Sequence, residues 1–347
     1  MKSPYKYIKP WIKEVEPYIP GKTVKGYVKL ASNENNYGPS HKVLRVLEEK
    51  KSLVNVYPHM QEEVKEKIAE YCNIERENII IGNGSDELID LILKTFKGPI
   101  IALFPTFSGY KICSQILGER YSDIKLNPDF GFPTEKFIEK SKNSRIIFLC
   151  SPNNPTGTVI REDDIRKILD EGKITVIDEA YYEFYGKTVV DLIDEYENLI
   201  VLRTFAKAFA LAGLRIGYGI SNENIISLIH RVKQPFNVNS FAEYAAIAAL
   251  EDIEYMKKIV GKIKKDRRTL FDKLSEKFRP IPSEANFILV DVSPLSSEEF
   301  CDKLYEKKII VRNFGRFEGF DGEYVRISIG TSEENRKLIS VLEDLFF

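Results

Sequence analysis

A lysine set in a run of small apolar residues is the first place in this chain to look for chemistry. Asn198 to Ile220 reads NLIVLRTFAKAFALAGLRIGYGI. An apolar strand, Leu199 to Leu202, runs on through Arg203, Thr204, Phe205 and Ala206 to Lys207. A small-residue stretch, Ala208 to Gly213, follows, and Arg215 comes eight residues after the lysine. Such a lysine reads in two ways: as a surface lysine, or as a desolvated amine whose pKa falls far enough to form a Schiff base. Two upstream segments bear on the choice. In VIDEAY, residues 176–181, Asp178 closes a strand of apolar character, where a carboxylate needs a cationic partner, and Tyr181 stands three residues on. In CSPNNPTG, residues 150–157, a cluster of turn formers holding Asn154 follows the strand Ile146 to Cys150.

The elements that must position these groups alternate along the first two-thirds of the chain. Apolar strands are expected at Ile79 to Ile81, Ile100 to Phe104, Arg120 to Ile124, Ile146 to Cys150, Ile174 to Ile177 and Leu199 to Leu202, with helical spacing between several of them. Strand–helix alternation with near-continuous apolar strands implies an α/β fold with a mostly parallel sheet covered on both faces. Asn154, Asp178 and Lys207 then fall at or just beyond strand C-termini, where such sheets place their ligands. At residues 79–86, IIIGNGSD combines a strand, a glycine turn and a helix start, a combination suited to an anion. Gly82 and Gly84 imitate a dinucleotide fingerprint, but Glu87 stands where its third glycine belongs, so one phosphate fits better than a pyrophosphate. From about Glu243 long helices and three further strands (Asn286 to Val292, Ile309 to Arg312, Tyr324 to Ile329) indicate a smaller α+β domain. The expected division is an arm at 1–27, a large domain at 28–243 and a small one at 244–347.

Composition sets the bounds. The 347 residues are 43% hydrophobic and 12% aromatic, enough for a large core, and the net charge of −1 favours neither nucleic acid nor an anionic membrane. Four dispersed cysteines (Cys72, Cys113, Cys150, Cys301) without a C-x-x-C pair read as free thiols in a reducing compartment. Only His41, His59 and His230 are present, so no zinc-type ligand cluster is expected. Residues 1–20 carry charges and prolines without the apolar core of a signal peptide, and no apolar run approaches ~18 residues; a cytoplasmic, non-membrane protein is expected.

Taken in order, SPNNPTG, DEAY, T-x-x-K and the following arginine resemble the histidinol-phosphate aminotransferase family, among the fold-type-I enzymes that use pyridoxal 5'-phosphate. The similarity runs from about Tyr18 to about Thr331. It implies that Lys207 carries the cofactor as a Schiff base and then shuttles the substrate Cα proton. It implies that Asp178 faces the pyridine nitrogen, and that Tyr181 and Asn154 bond the ring's 3-oxygen. By the same resemblance Phe107 would stack on the ring, and Arg215, Gly84, Ser85 and Thr204 would hold the phosphate, with Tyr57 reaching across a homodimer interface. Tyr18, Asn33, Arg312 and Arg326 contact the substrates, an amino donor and a 2-oxo acid. Two positions depart from the family pattern. Ala206 replaces a serine, which puts one hydroxyl contact to the phosphate in doubt. Asn36 replaces a proline in the Lys29–Pro39 loop, for which a less rigid loop is expected. Aromatic or broad-specificity aminotransferases and threonine-phosphate-type decarboxylases share this fold. Outside it, a nucleotide-dependent oxidoreductase leaves Lys207, Asp178 and Arg215 unexplained, and a DNA-binding regulator needs more than the 27 residues before the loop.

Overall fold

The computed structural model describes residues 4–347. Its strands, in chain order, are β1 (Val28–Leu30), β2 (Ile79–Gly82), β3 (Ile100–Phe104), β4 (Tyr121–Lys125), β5 (Ile146–Cys150), β6 (Ile174–Asp178), β7 (Leu199–Thr204), β8 (Gly217–Ser221), β9 (Arg279–Pro280), β10 (Phe287–Asp291), β11 (Ile309–Gly315) and β12 (Tyr324–Ser328). The larger sheet has the order β2-β8-β7-β6-β5-β3-β4. Strands β3 to β7 run parallel, and β8 is antiparallel to both β7 and β2.

Period-two alternation explains why these strands are apolar throughout. Ile80, Ile100, Ala102, Phe148, Val176, Ile200 and Leu202 face one layer, which contains Leu88, Ile92 and Tyr110 from helices Ser85–Thr95 and Gly109–Leu117. Their neighbours Ile79, Ile101, Ile147, Leu149, Ile177 and Val201 face the other layer, with Ile165 and Ile168 of helix Glu162–Leu169. Every residue of β5 and β7 is therefore buried, and each large apolar side chain contributes about 1.5–3 kcal/mol.

The smaller sheet has the order β1-β11-β12-β10-β9. It is antiparallel except where β1 lies parallel to β11. Two features differ from the sequence reading. Residues 28–30, assigned to the start of the large domain, are hydrogen-bonded into the smaller sheet, because the arm crosses to β11 before the chain enters the larger sheet. Residue 244 falls inside helix Ser240–Leu250, whose Asn239 cap begins four residues before the expected change. That helix packs on His41–Lys50 and Gln61–Cys72. Strand β8 had no clear apolar run, since Gly217 and Gly219 interrupt it; its register with β2 and β7 supplies the pattern that its own sequence lacks. Among the described residues no helix is long and apolar enough to cross a membrane.

Candidate active site

Six chain segments end or begin at one edge of the larger sheet. β3 leads to Phe107, β5 to Asn154, β6 ends on Asp178, β7 leads to Lys207, β2 leads to Ser85, and Arg215 precedes β8. Together with Tyr18, Asn33, Tyr181, Thr204, Arg312 and Arg326 they line one cavity of about 470 Å³. Gly84 lies at its border under the Arg215 guanidinium: a side chain there would come within 2.7 Å of Arg215 Nη2.

The lysine and the carboxylate are both shifted toward their neutral forms. Loss of hydration, and after it the positive charge of Arg326, pull the Lys207 amine down to about 8. Burial pushes the Asp178 carboxyl up to about 6, against the pull of two hydrogen bonds. Tyr110 O–H donates to its Oδ2 at 2.6 Å, and the Ala180 N–H to its Oδ1 at 3.1 Å. Tyr110 is a site residue that the sequence reading missed. It lies three positions beyond Phe107, one helical turn away, and packs edge-on against that ring. That spacing, in the turn after a buried strand, is the signal that marks it.

The Ser85 end of the cavity is built from a helix N-terminus and the side chains around it. Ser85 and Asp86 open helix Ser85–Thr95, whose first N–H groups have no intrahelical acceptor. Gly217 lies beneath them: a Cβ there would approach Ser85 N to 2.7 Å and Arg203 O to 2.9 Å. Arg215 Nη2 pairs with Asp86 Oδ2 at 2.8 Å. Thr204 Oγ1 accepts from the Ala206 N–H at 3.1 Å, so a side-chain hydroxyl lies beside the residue that lacks one.

The opposite end draws on distant parts of the chain. Asn33, in left-handed backbone at φ 55°, donates through Nδ2 to Tyr181 Oη at 2.9 Å. It is held by Ser328 and Asn286. Arg326 donates through Nη1 to Asn154 Oδ1 and through Nη2 to Ala31 O at 2.8 Å, while its buried Nε has no partner. Asn154 is thereby engaged with the arginine. Arg312 sits directly opposite Arg326 in the β11–β12 register and donates to Ile19 O at 3.1 Å. Among the described residues no carboxylate pairs with either arginine. Burial pulls the Arg326 guanidinium down to about 10. Tyr18 is on the arm that Arg312 holds.

One expectation turns out differently. The Asn36 loop is tied down: Asn36 Nδ2 donates to Glu334 at 3.0 Å, and Asn35 Nδ2 to Ala208 O at 2.9 Å, beside Lys207. An asparagine supplies a side-chain anchor where proline supplies a fixed dihedral. Tyr57, expected to act across a subunit interface, lies outside this chain's own cavity wall; it is exposed and stacks on exposed Phe236 with centroids 4.6 Å apart.

Comparison with known proteins fits this geometry. The family model for aminotransferase class I and II matches residues 25–342. The chain belongs to the class I and II aminotransferases. Within them it is 41% identical over 328 residues to a histidinol-phosphate aminotransferase of Thermoanaerobacter pseudethanolicus, covering 91% of this chain and 92% of that one. It is 40% identical over 338 residues to that of Pyrococcus furiosus, covering 95% and 96%. The structure of the histidinol-phosphate aminotransferase from Clostridium acetobutylicum superposes with a TM-score of 0.86 at 29% identity over 92% of this aminotransferase and 98% of that chain. The Sinorhizobium meliloti enzyme, solved in complex with pyridoxal-5'-phosphate, shares the fold at a TM-score of 0.88 and 22% identity, over 99% and 100%.

Proposed function

We propose that this aminotransferase exchanges an amino group between L-histidinol phosphate and 2-oxoglutarate, giving imidazole acetol phosphate and L-glutamate, in the cavity beside Lys207. The observation that carries this reading is the cross-strand pair Arg312–Arg326. Two like charges opposite each other on neighbouring strands repel, and a buried guanidinium without a counter-charge is costly. An anion between them removes both penalties, and planar guanidinium groups accept phosphate and carboxylate alike. One donor carries a phosphate and the other substrate two carboxylates, so the same pair serves both halves of a ping-pong exchange.

The residues fit pyridoxal 5'-phosphate. The Ser85 and Asp86 amides, Arg215 and Thr204 would hold its phosphate, Phe107 would cover its ring, and Lys207 Nζ would hold it covalently. When bound, the cofactor supplies the electron sink that stabilises the carbanion left on the substrate Cα. Asp178, ionised against a protonated ring nitrogen, sustains that sink. Lys207 Nζ, with its amine pulled down to about 8, would take the proton from the substrate Cα and deliver it to the cofactor carbon bound to the same nitrogen. Tyr181, held by Asn33, directs its hydroxyl at the reacting end of the cavity.

The exposed apolar surface with Val54, Tyr57 and Phe236 supports pairing with a second copy, through which Tyr57 would complete the phosphate site. Four free cysteines suit the reducing cytoplasm.

Rapid mixing of the yellow holoenzyme with each amino donor tests the function. Histidinol phosphate and glutamate should each bleach the cofactor absorbance within one turnover, with phenylalanine at least about tenfold slower. Fast bleaching by phenylalanine and none by histidinol phosphate would make the chain an aromatic aminotransferase. Release of CO₂ from L-threonine phosphate, offered in parallel, without amine exchange would make it a decarboxylase.

A further inference from the structure

Glu87 occupies the place that a glycine would have in a dinucleotide-binding turn, and the mechanism gives it no role. Its carboxylate folds back from the first turn of helix Ser85–Thr95. Oε2 accepts the Asn83 N–H at 2.5 Å and the Asn237 side-chain amide at 2.7 Å. Asn237 also donates to Ile81 O at 3.2 Å and accepts from Lys233 Nζ at 2.8 Å. The turn between Asn83 and Ser85 is thus gripped from two sides. On the sheet side Gly217 lets the backbone descend until a Cβ would strike Ser85 N; on the other side Glu87 holds Asn83. Gly84, at φ 77°, bonds back to Gly82 O at 2.8 Å and completes a turn with little freedom left.

We propose that Glu87, braced by Asn237, is a positioning residue for the cofactor phosphate: it fixes the turn so that the Ser85 and Asp86 amides point into the cavity before the phosphate arrives. The proposal rests on the reading that these amides and Arg215 hold that phosphate. Geometry and charge make opposite demands here. A carboxylate near an anion site weakens anion binding by repulsion, so removing it should tighten binding if charge were its only effect. As a brace, its removal should loosen binding, because the turn must then be ordered at the moment of capture.

The test is the affinity of cofactor-free protein for pyridoxal 5'-phosphate and, separately, for pyridoxal, which lacks the phosphate. Glu87→Ala should loosen pyridoxal phosphate about tenfold, the effect of one charge-assisted hydrogen bond, and leave pyridoxal unchanged. Glu87→Gln keeps an acceptor oxygen and drops the charge; it should bind pyridoxal phosphate at least as tightly as the unaltered protein. Asn237→Ala, which leaves Glu87 in place, should loosen pyridoxal phosphate about threefold and covers the case in which Glu87→Ala fails to fold. Inorganic phosphate should compete with the cofactor less well in Glu87→Ala than in the unaltered protein. Tighter pyridoxal phosphate binding by Glu87→Ala, or equal losses for both ligands, would overturn the proposal. Failure of the underlying reading looks different: Arg215→Ala would then leave the preference for pyridoxal phosphate over pyridoxal intact.

Discussion

The two ends of the cavity are built on different principles. At the proposed cofactor end each side chain follows a strand terminus of one sheet, so the parallel pairing of β5, β6 and β7 brings Asn154, Asp178 and Lys207 together. Its arginine is matched, with Arg215 facing Asp86, while Asp178 is held by a hydroxyl and an amide. At the substrate end Tyr18, Asn33, Arg312 and Arg326 come from the arm, a loop and two strands of the smaller sheet. Asn33 and Ser328, 295 positions apart in sequence, are joined by hydrogen bonds. Its charges are unmatched, with two arginines in register and no carboxylate partner among the described residues. A resident group calls for a preformed seat. A ligand that must come and go is better served by a site that its own charge completes.

That contrast is tested most severely by Lys207→Ala. Loss of the covalent anchor and proton carrier should lower kcat by about 10⁴-fold or more in steady-state assays; near-normal turnover would refute the assignment. Asp178→Asn should lower kcat about 10²–10³-fold while the protein stays folded, as lost electrostatic support does elsewhere. Arg326→Lys keeps the charge but not the planar fork. It should lower kcat/KM about 10²-fold for both substrates, carried mainly by KM, and a change in only one half-reaction would break the shared-anion account. The smallest effect should come from Tyr110→Phe. The Tyr110 hydroxyl lowers the Asp178 pKa against the raising effect of burial. Without it that pKa rises further, and the acidic limb of the kcat/KM profile should move to higher pH while the plateau falls only about twofold to fivefold. An acidic limb that moves to lower pH would show that the bond does not support the carboxylate.

The pH dependence of cofactor capture sharpens the same contrast. Only the neutral Lys207 amine can react, and its pKa is lowered to about 8. Capture by cofactor-free protein should rise about tenfold per pH unit below that value and level off above it. A rise that continues to pH 10 would indicate an amine of ordinary basicity.

What the sequence discloses follows the same division. The cofactor end is written in short contiguous motifs, because strand, turn and site residue are neighbours in the chain. Ser85, Asp178 and Lys207 stand in such motifs, but Lys207 by itself also reads as a surface lysine, and its role follows only from the ordered set of motifs and the resemblance they carry. The pairing of Arg312 with Arg326 is a matter of strand register, set by how β11 and β12 align, and no local pattern encodes it. β8 was hidden by its glycines. Gly217 is there because the backbone must pass under Ser85, whereas a side chain at Gly219 would crowd Ile80 and Leu202, so close packing erased the strand's own signature. Tyr110 was hidden because its partner Asp178 lies 68 residues away.

Whether two arginines without counter-charges select a substrate by its anion is tested most directly by kcat/KM for L-histidinol phosphate against L-histidinol, the same amine without its phosphate. The phosphate ester should be favoured at least about 10²-fold, and Arg312→Ala should erase most of that preference. Equal efficiency for the two amines would contradict the account.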